Sequence, residues 1–103
     1  MSNSKKHSAQ VGRAFRMIEV LAGHEFDPMS TGDVAKSLGV AAPVATRDLQ
    51  TAEHFCWVEK TMDGLWRLRR GHITNIAVAV QSGIRRANSR MNDEMNNYTR
   101  STY

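Results

Sequence analysis

Residues 30–50 read Ser30-Thr31-Gly32-Asp33-Val34-Ala35-Lys36-Ser37-Leu38-Gly39-Val40-Ala41-Ala42-Pro43-Val44-Ala45-Thr46-Arg47-Asp48-Leu49-Gln50. Ser30 can accept from the Asp33 amide as an N-cap, with the Asp33 carboxylate near the positive end of the helix that follows. Val34, Ala35 and Leu38 then share one face of a short helix. Gly39 ends it, because glycine takes the positive φ that a sharp turn demands. Pro43 suits the first turn of a second helix, where its missing N–H costs nothing. Ala45, Leu49 and Ala52 continue an inward stripe with Phe55 close behind, while Thr46, Arg47 and Gln50 point away. Counted from Thr31, the fourth place is apolar (Val34) and the fifth small (Ala35). The ninth is glycine (Gly39), and the tenth and fifteenth are apolar again (Val40, Ala45). A small fifth residue lets two helices cross closely, and the glycine lets the chain reverse between them.

Upstream, Val11, Phe15, Ile18 and Leu21/Ala22 recur at spacings of three and four, which predicts a helix capped by Ser8 and stopped by Gly23. His24-Glu25-Phe26-Asp27-Pro28 reads as a loop, with Phe26 expected to tuck into the core. Its His, Glu and Asp match no metal-ligand spacing. Downstream, Cys56-Trp57-Val58-Glu59-Lys60 and Leu65-Trp66-Arg67-Leu68 flank Thr61-Met62-Asp63-Gly64, a hairpin signature. From His72 to about Asn97 the pattern is that of one long helix. Ala77, Val80, Ile84, Ala87, Met91, Glu94 and Tyr98 alternate at three and four, as in a heptad seam. The alternation Ile76, Val78, Val80 leaves a strand open at its start. The expected organisation is a flexible basic arm over 1–8, a helical domain with hairpin over 9–70, a C-terminal helix over 71–98 and a tail over 99–103.

Composition narrows the function classes. A chain of 103 residues is one domain's worth. A single cysteine, Cys56, permits neither an internal disulfide nor a cysteine-based zinc cage. No apolar run approaches a membrane span, and the polar N-terminus has no signal-peptide core, which points to a cytoplasmic protein. The net charge is +4. Between Asp63 and Asp93 there is no acidic residue, yet Arg67, Arg69, Arg70, Arg85, Arg86 and Arg90 all fall there. That run reads either as a solvated face or as a footprint for phosphates. His54 and Cys56 lack an orienting carboxylate, and the four histidines are scattered, so no catalytic constellation stands out. No enzyme, cofactor or metal site is expected. Trp57 and Trp66 are expected to pack the hairpin onto the helices rather than to stack bases.

Helix, short helix, tight turn, helix and hairpin, in this order, spell a winged helix-turn-helix: a mainly α fold with a small β-hairpin plus a long C-terminal helix. The chain also resembles the DNA-binding domain of IclR-type transcriptional regulators. The likeness runs from Val11-Gly12-Arg13-Ala14-Phe15-Arg16-Met17-Ile18-Glu19-Val20-Leu21 through Asp33-Val34-Ala35, Leu38-Gly39-Val40 and Thr46-Arg47-Asp48-Leu49 to Asp63-Gly64-Leu65-Trp66-Arg67-Leu68, about two-thirds of the chain. Asp48 stands where that family has an apolar residue. The resemblance implies double-stranded DNA as the partner. It gives no support for a small-molecule effector, because nothing here could form that family's effector domain.

Candidate contacts follow from the pattern. Arg47 can reach guanine O6/N7 or a phosphate, Gln50 adenine N6/N7, and Thr46 a phosphate or a thymine methyl. Ala42 and Pro43 let the helix start come close to DNA. Ser30 and Thr31 offer helix-start amides to a phosphate. Lys60 and Arg67 flank the hairpin turn, where they straddle the minor groove or simply keep an edge strand soluble. The seam predicts a homodimer through the C-terminal helix, placing two reading helices on an inverted repeat; the alternative is a helix that covers its own core. The size suits a phage or mobile-element regulator. A rival reading keeps the fold but makes it a protein-interaction adaptor in a nucleoprotein complex, recognisable by exposed apolar residues on the third helix and hairpin.

Overall fold

The computed structural model describes residues 6–101, with side chains to Asn97. The elements are α1 (Ala9–Leu21), α2 (Thr31–Leu38), α3 (Ala42–His54), β1 (Val58–Lys60), β2 (Trp66–Leu68) and α4 (Arg70–Ser101). The chain is mainly helical, with a two-stranded antiparallel hairpin and a long C-terminal helix. It divides into two compact units, one ending at His72 and one beginning at Ile73.

In the first unit local signals set the helix ends. The Ser8 hydroxyl accepts from the Val11 amide, and the Ser30 hydroxyl from the Asp33 amide. Gly39 sits at φ 70, and the Val40 amide reaches back to the Ala35 carbonyl at 3.0 Å. Helix α3 closes the same way at a residue that sequence reading had placed in the first run of the hairpin, whereas β1 begins only at Val58. Cys56 takes φ 69 while the Trp57 amide donates to the Ala52 carbonyl at 2.9 Å. A side chain in that left-handed region costs roughly 1–2 kcal/mol relative to glycine.

The core consists of Met17, Leu21, Val34, Ala35, Leu38, Ala45, Leu49, Val58, Trp66 and Leu68. Each larger member contributes about 1.5–3 kcal/mol by leaving water. Strands β1 and β2 pair Val58 with Leu68, Glu59 with Arg67 and Lys60 with Trp66, which puts Val58, Trp66 and Leu68 against the helices. Met29 adds a further antiparallel bridge: it exchanges backbone bonds of 2.9 and 2.7 Å with Trp66 just before α2 begins. The Trp66 indole N–H then donates to the Thr31 hydroxyl at 3.0 Å. Hairpin and α2 start are therefore pinned by three bonds.

Several expectations need correction. Helix α1 buries Met17 and Leu21, while Val11 and Phe15, expected inside, are 53% and 64% exposed. Phe55 also stands outside, at 62%. Phe26 does not tuck under its loop; it is 87% exposed, with the Arg70 guanidinium 5.3 Å from its ring. Trp57 is half-buried, edge-on to His72 at 4.6 Å.

The second unit is the helix from Ile73 onward. It is helical through Ser101, so Ile76, Val78 and Val80 form no strand, and the helix includes residues 99–101, expected as tail. Val80, Ile84 and Met91 of the heptad seam are exposed, as are Arg85, Arg86 and Arg90. Residues 1–5 of the expected arm, residues 102 and 103 of the tail and the Tyr98 side chain lie outside the described residues. Among the described residues no helix is long and apolar enough to cross a membrane.

Candidate nucleic-acid interface

Helix α3 is amphipathic in a way that separates two jobs. Ala45 and Leu49, one turn apart, are fully buried, whereas Arg47 and Gln50 are exposed. Rotating the helix about half a turn round its axis would exchange those faces, so burial of Leu49 sets where Arg47 and Gln50 point. Ala42 and Pro43 are exposed at the helix start, and no side chain caps that end. Thr46 is half-buried, and its hydroxyl donates back to the Ala42 carbonyl at 3.0 Å, leaving its oxygen lone pairs to accept.

The other expected contact residues are more occupied. The Ser30 oxygen is used in capping, and the Thr31 hydroxyl takes the Trp66 indole proton. Arg67 is half-buried on β2 and donates to Glu59 at 3.2 Å and to the Glu25 carbonyl at 3.4 Å. Lys60 is exposed, with its ammonium 5.4 Å from the Trp66 ring. Arg47, Gln50 and Lys60 are thus the most accessible polar members of the set, and Arg67 the most committed. Among the described residues no group of three or more His, Cys, Asp or Glu could hold a metal ion.

Two features went unread in the sequence. Asp48 turns toward α1, where the Arg13 guanidinium donates through Nε to Oδ2 at 2.6 Å and through Nη2 to Oδ1 at 3.3 Å. Both side chains are only 18% exposed. The hydrogen bond to Asp48 holds the Arg13 pKa above its usual value; burial pulls the other way, and the charge attraction adds to the rise. The second feature is an open groove of about 420 Å³ between α1 and α3, walled by Val11, Phe15, Ile18, Ala52, Phe55 and Trp57 with Arg47 and Asp48 at its edge. Apolar spacing on α1 pointed to these side chains but assigned them to the core.

No family model, curated protein or solved structure matches this chain.

Proposed function

We propose that the chain is a winged helix-turn-helix that binds double-stranded DNA as a small regulator of transcription, with α3 in the major groove and the β1–β2 hairpin as the wing. The observation that carries this reading is the division of α3: Leu49 and Ala45 fully buried, Arg47 and Gln50 exposed. An α-helix fits the major groove, whose base edges present a distinct donor and acceptor pattern. Arg47 is the one arginine or lysine on α3 and carries a fork suited to guanine O6/N7; Gln50, three residues on and on the same side, has the donor and acceptor for adenine. Lys60 supplies a phosphate contact that positions without specifying. The short spacing pattern around Gly39 and the IclR-type likeness support the same assignment.

The regulator works as a pair of copies joined through α4. Its exposed Val80, Ile84 and Met91 recur on one stripe, away from Arg85, Arg86 and Arg90, and an apolar stripe of that kind is stabilised by burial against another surface. A monomeric mass by light scattering at tens of micromolar removes the pairing but leaves the DNA reading intact.

The test of the main proposal is a fluorescence anisotropy titration of labelled duplex pools. Wild type binds with an affinity that falls as salt rises, because phosphate contacts release counterions. Arg47→Ala weakens specific binding by about 1–3 kcal/mol, roughly 5- to 150-fold. Equal affinity of the variant overturns the role of Arg47.

One observation favours a second reading, the protein-interaction adaptor. Val11, Phe15 and Phe55 border an open apolar groove, and Met62 stands separately, fully exposed at the hairpin tip; an exposed apolar groove marks a protein contact. Absence of any salt-sensitive duplex binding selects this alternative.

A further inference from the structure

We propose that Arg13 is a positioning residue for DNA recognition: it closes the Asp48 carboxylate and so keeps a bare negative charge away from the reading face of α3. This rests on the reading that α3 contacts DNA. Asp48 follows Arg47 directly and precedes Gln50 by two residues, so the helix that must approach a polyanion carries an acid in its central turn. An unpaired carboxylate there repels phosphates, and like charges about 10 Å apart near a protein surface are separated by too little medium for water to screen them fully. The structure shows how the charge is contained. The planar Arg13 fork meets both carboxylate oxygens, at 2.6 and 3.3 Å, in a pair that is mostly shielded from solvent. The same clasp ties α1 to α3 across 35 residues of sequence and fixes the rotation of α3 about its axis. Arg13 itself lies on α1, 18% exposed, and acts through Asp48 rather than by touching a base.

A purely structural clasp and a charge-closing one differ in what rescues its loss. Arg13→Gln keeps the stem and a donor but removes the charge; Arg13→Gln with Asp48→Asn removes both charges. Anisotropy titrations of wild type and both variants on one duplex, at 50 and 200 mM salt, are read alongside thermal melts. The single variant is expected to bind about tenfold more weakly at the lower salt and to approach wild type at the higher one. The double variant is expected within twofold of wild type at both. Equal weakness of single and double variants overturns the proposal, as does an unchanged single variant. A wild type without salt-sensitive binding overturns the DNA reading and this role with it, an outcome distinct from wild-type binding without rescue. If the glutamine variant melts below the assay temperature, Arg13→Lys decides: it keeps the charge without the fork and is expected within threefold of wild type, and a tenfold loss refutes charge closing.

Discussion

Replacing Leu49 by alanine tests the packing that orients α3. The side chain is fully buried, and Arg47 and Gln50 lie on the far side of the same helix. Truncating a buried leucine removes its transfer energy and leaves a cavity, together about 2.7–5.0 kcal/mol. At roughly 0.05–0.15 kcal/mol per residue, the unit ending at His72 holds only about 4–10 kcal/mol in all. The variant therefore loses between about a quarter and all of its stability, and a loss near 3 kcal/mol lowers the melting temperature by about 12–24 °C. Tryptophan fluorescence is the right probe, because Trp66 sits in this core and Trp57 lies half-buried in the same unit. Arg47→Ala, at an exposed position, is expected to shift stability by less than about 0.5 kcal/mol. A shift below about 1 kcal/mol for Leu49→Ala, or an equal shift for Arg47→Ala, means that α3 is rotated and that its outward face is not the one described.

Three further outcomes follow from single contacts. Thr31→Val leaves the Trp66 indole N–H without its acceptor at the start of α2 and is expected to cost about 1–3 kcal/mol in urea titrations, whereas no loss would show that the bond does not form. Cys56→Gly relieves a side chain at φ 69 and is expected to stabilise the fold by roughly 1 kcal/mol; destabilisation would contradict the left-handed turn at the end of α3. The Glu25 pKa is held below its ordinary carboxylate value, first because the carboxylate accepts from its own amide and that of Gly23, with attraction to His24 and Arg70 adding to the effect against burial. A folded pKa below the unfolded one means stability that is present above the unfolded value and lost as pH falls through the folded value. Glu25→Gln is therefore expected to flatten the acid side of the stability profile, in the range below the ordinary carboxylate pKa, and an unchanged slope refutes the assignment.

How much of this was legible in the sequence depends on the range of the interaction. Ser30, Gly39 and the inward set Val34, Ala35, Leu38, Ala45 and Leu49 could be read, because caps and helical spacing act within a turn or two. Helix α1 misled because it carries two apolar stripes at helical spacing. Val11, Phe15, Ile18 and Leu21/Ala22 form the more conspicuous one, but of these the core formed by α2 and the hairpin buries only Leu21, with Met17 from the other. Periodicity shows that a stripe exists and not which partner covers it. The Met29–Trp66 bridge is a single pairing with no period to detect, and the Arg13–Asp48 clasp joins positions 35 residues apart. Asp48 was visible as a departure from the IclR-type pattern; its partner was not. Among the contact residues, type and spacing identified Arg47 and Gln50, whereas the engagement of Arg67 with Glu59 and of Thr31 with Trp66 needed the hairpin register.

The most direct measurement is selection of bound duplexes from a random pool by the full chain, followed by salt-dependent titration of the enriched sequence. If α3 reads the major groove and the copies pair, the pool converges on an inverted repeat with half-sites about one helical turn apart, bound less tightly as salt rises. A pool that stays random, with no salt-sensitive association, contradicts DNA recognition by Arg47 and Gln50.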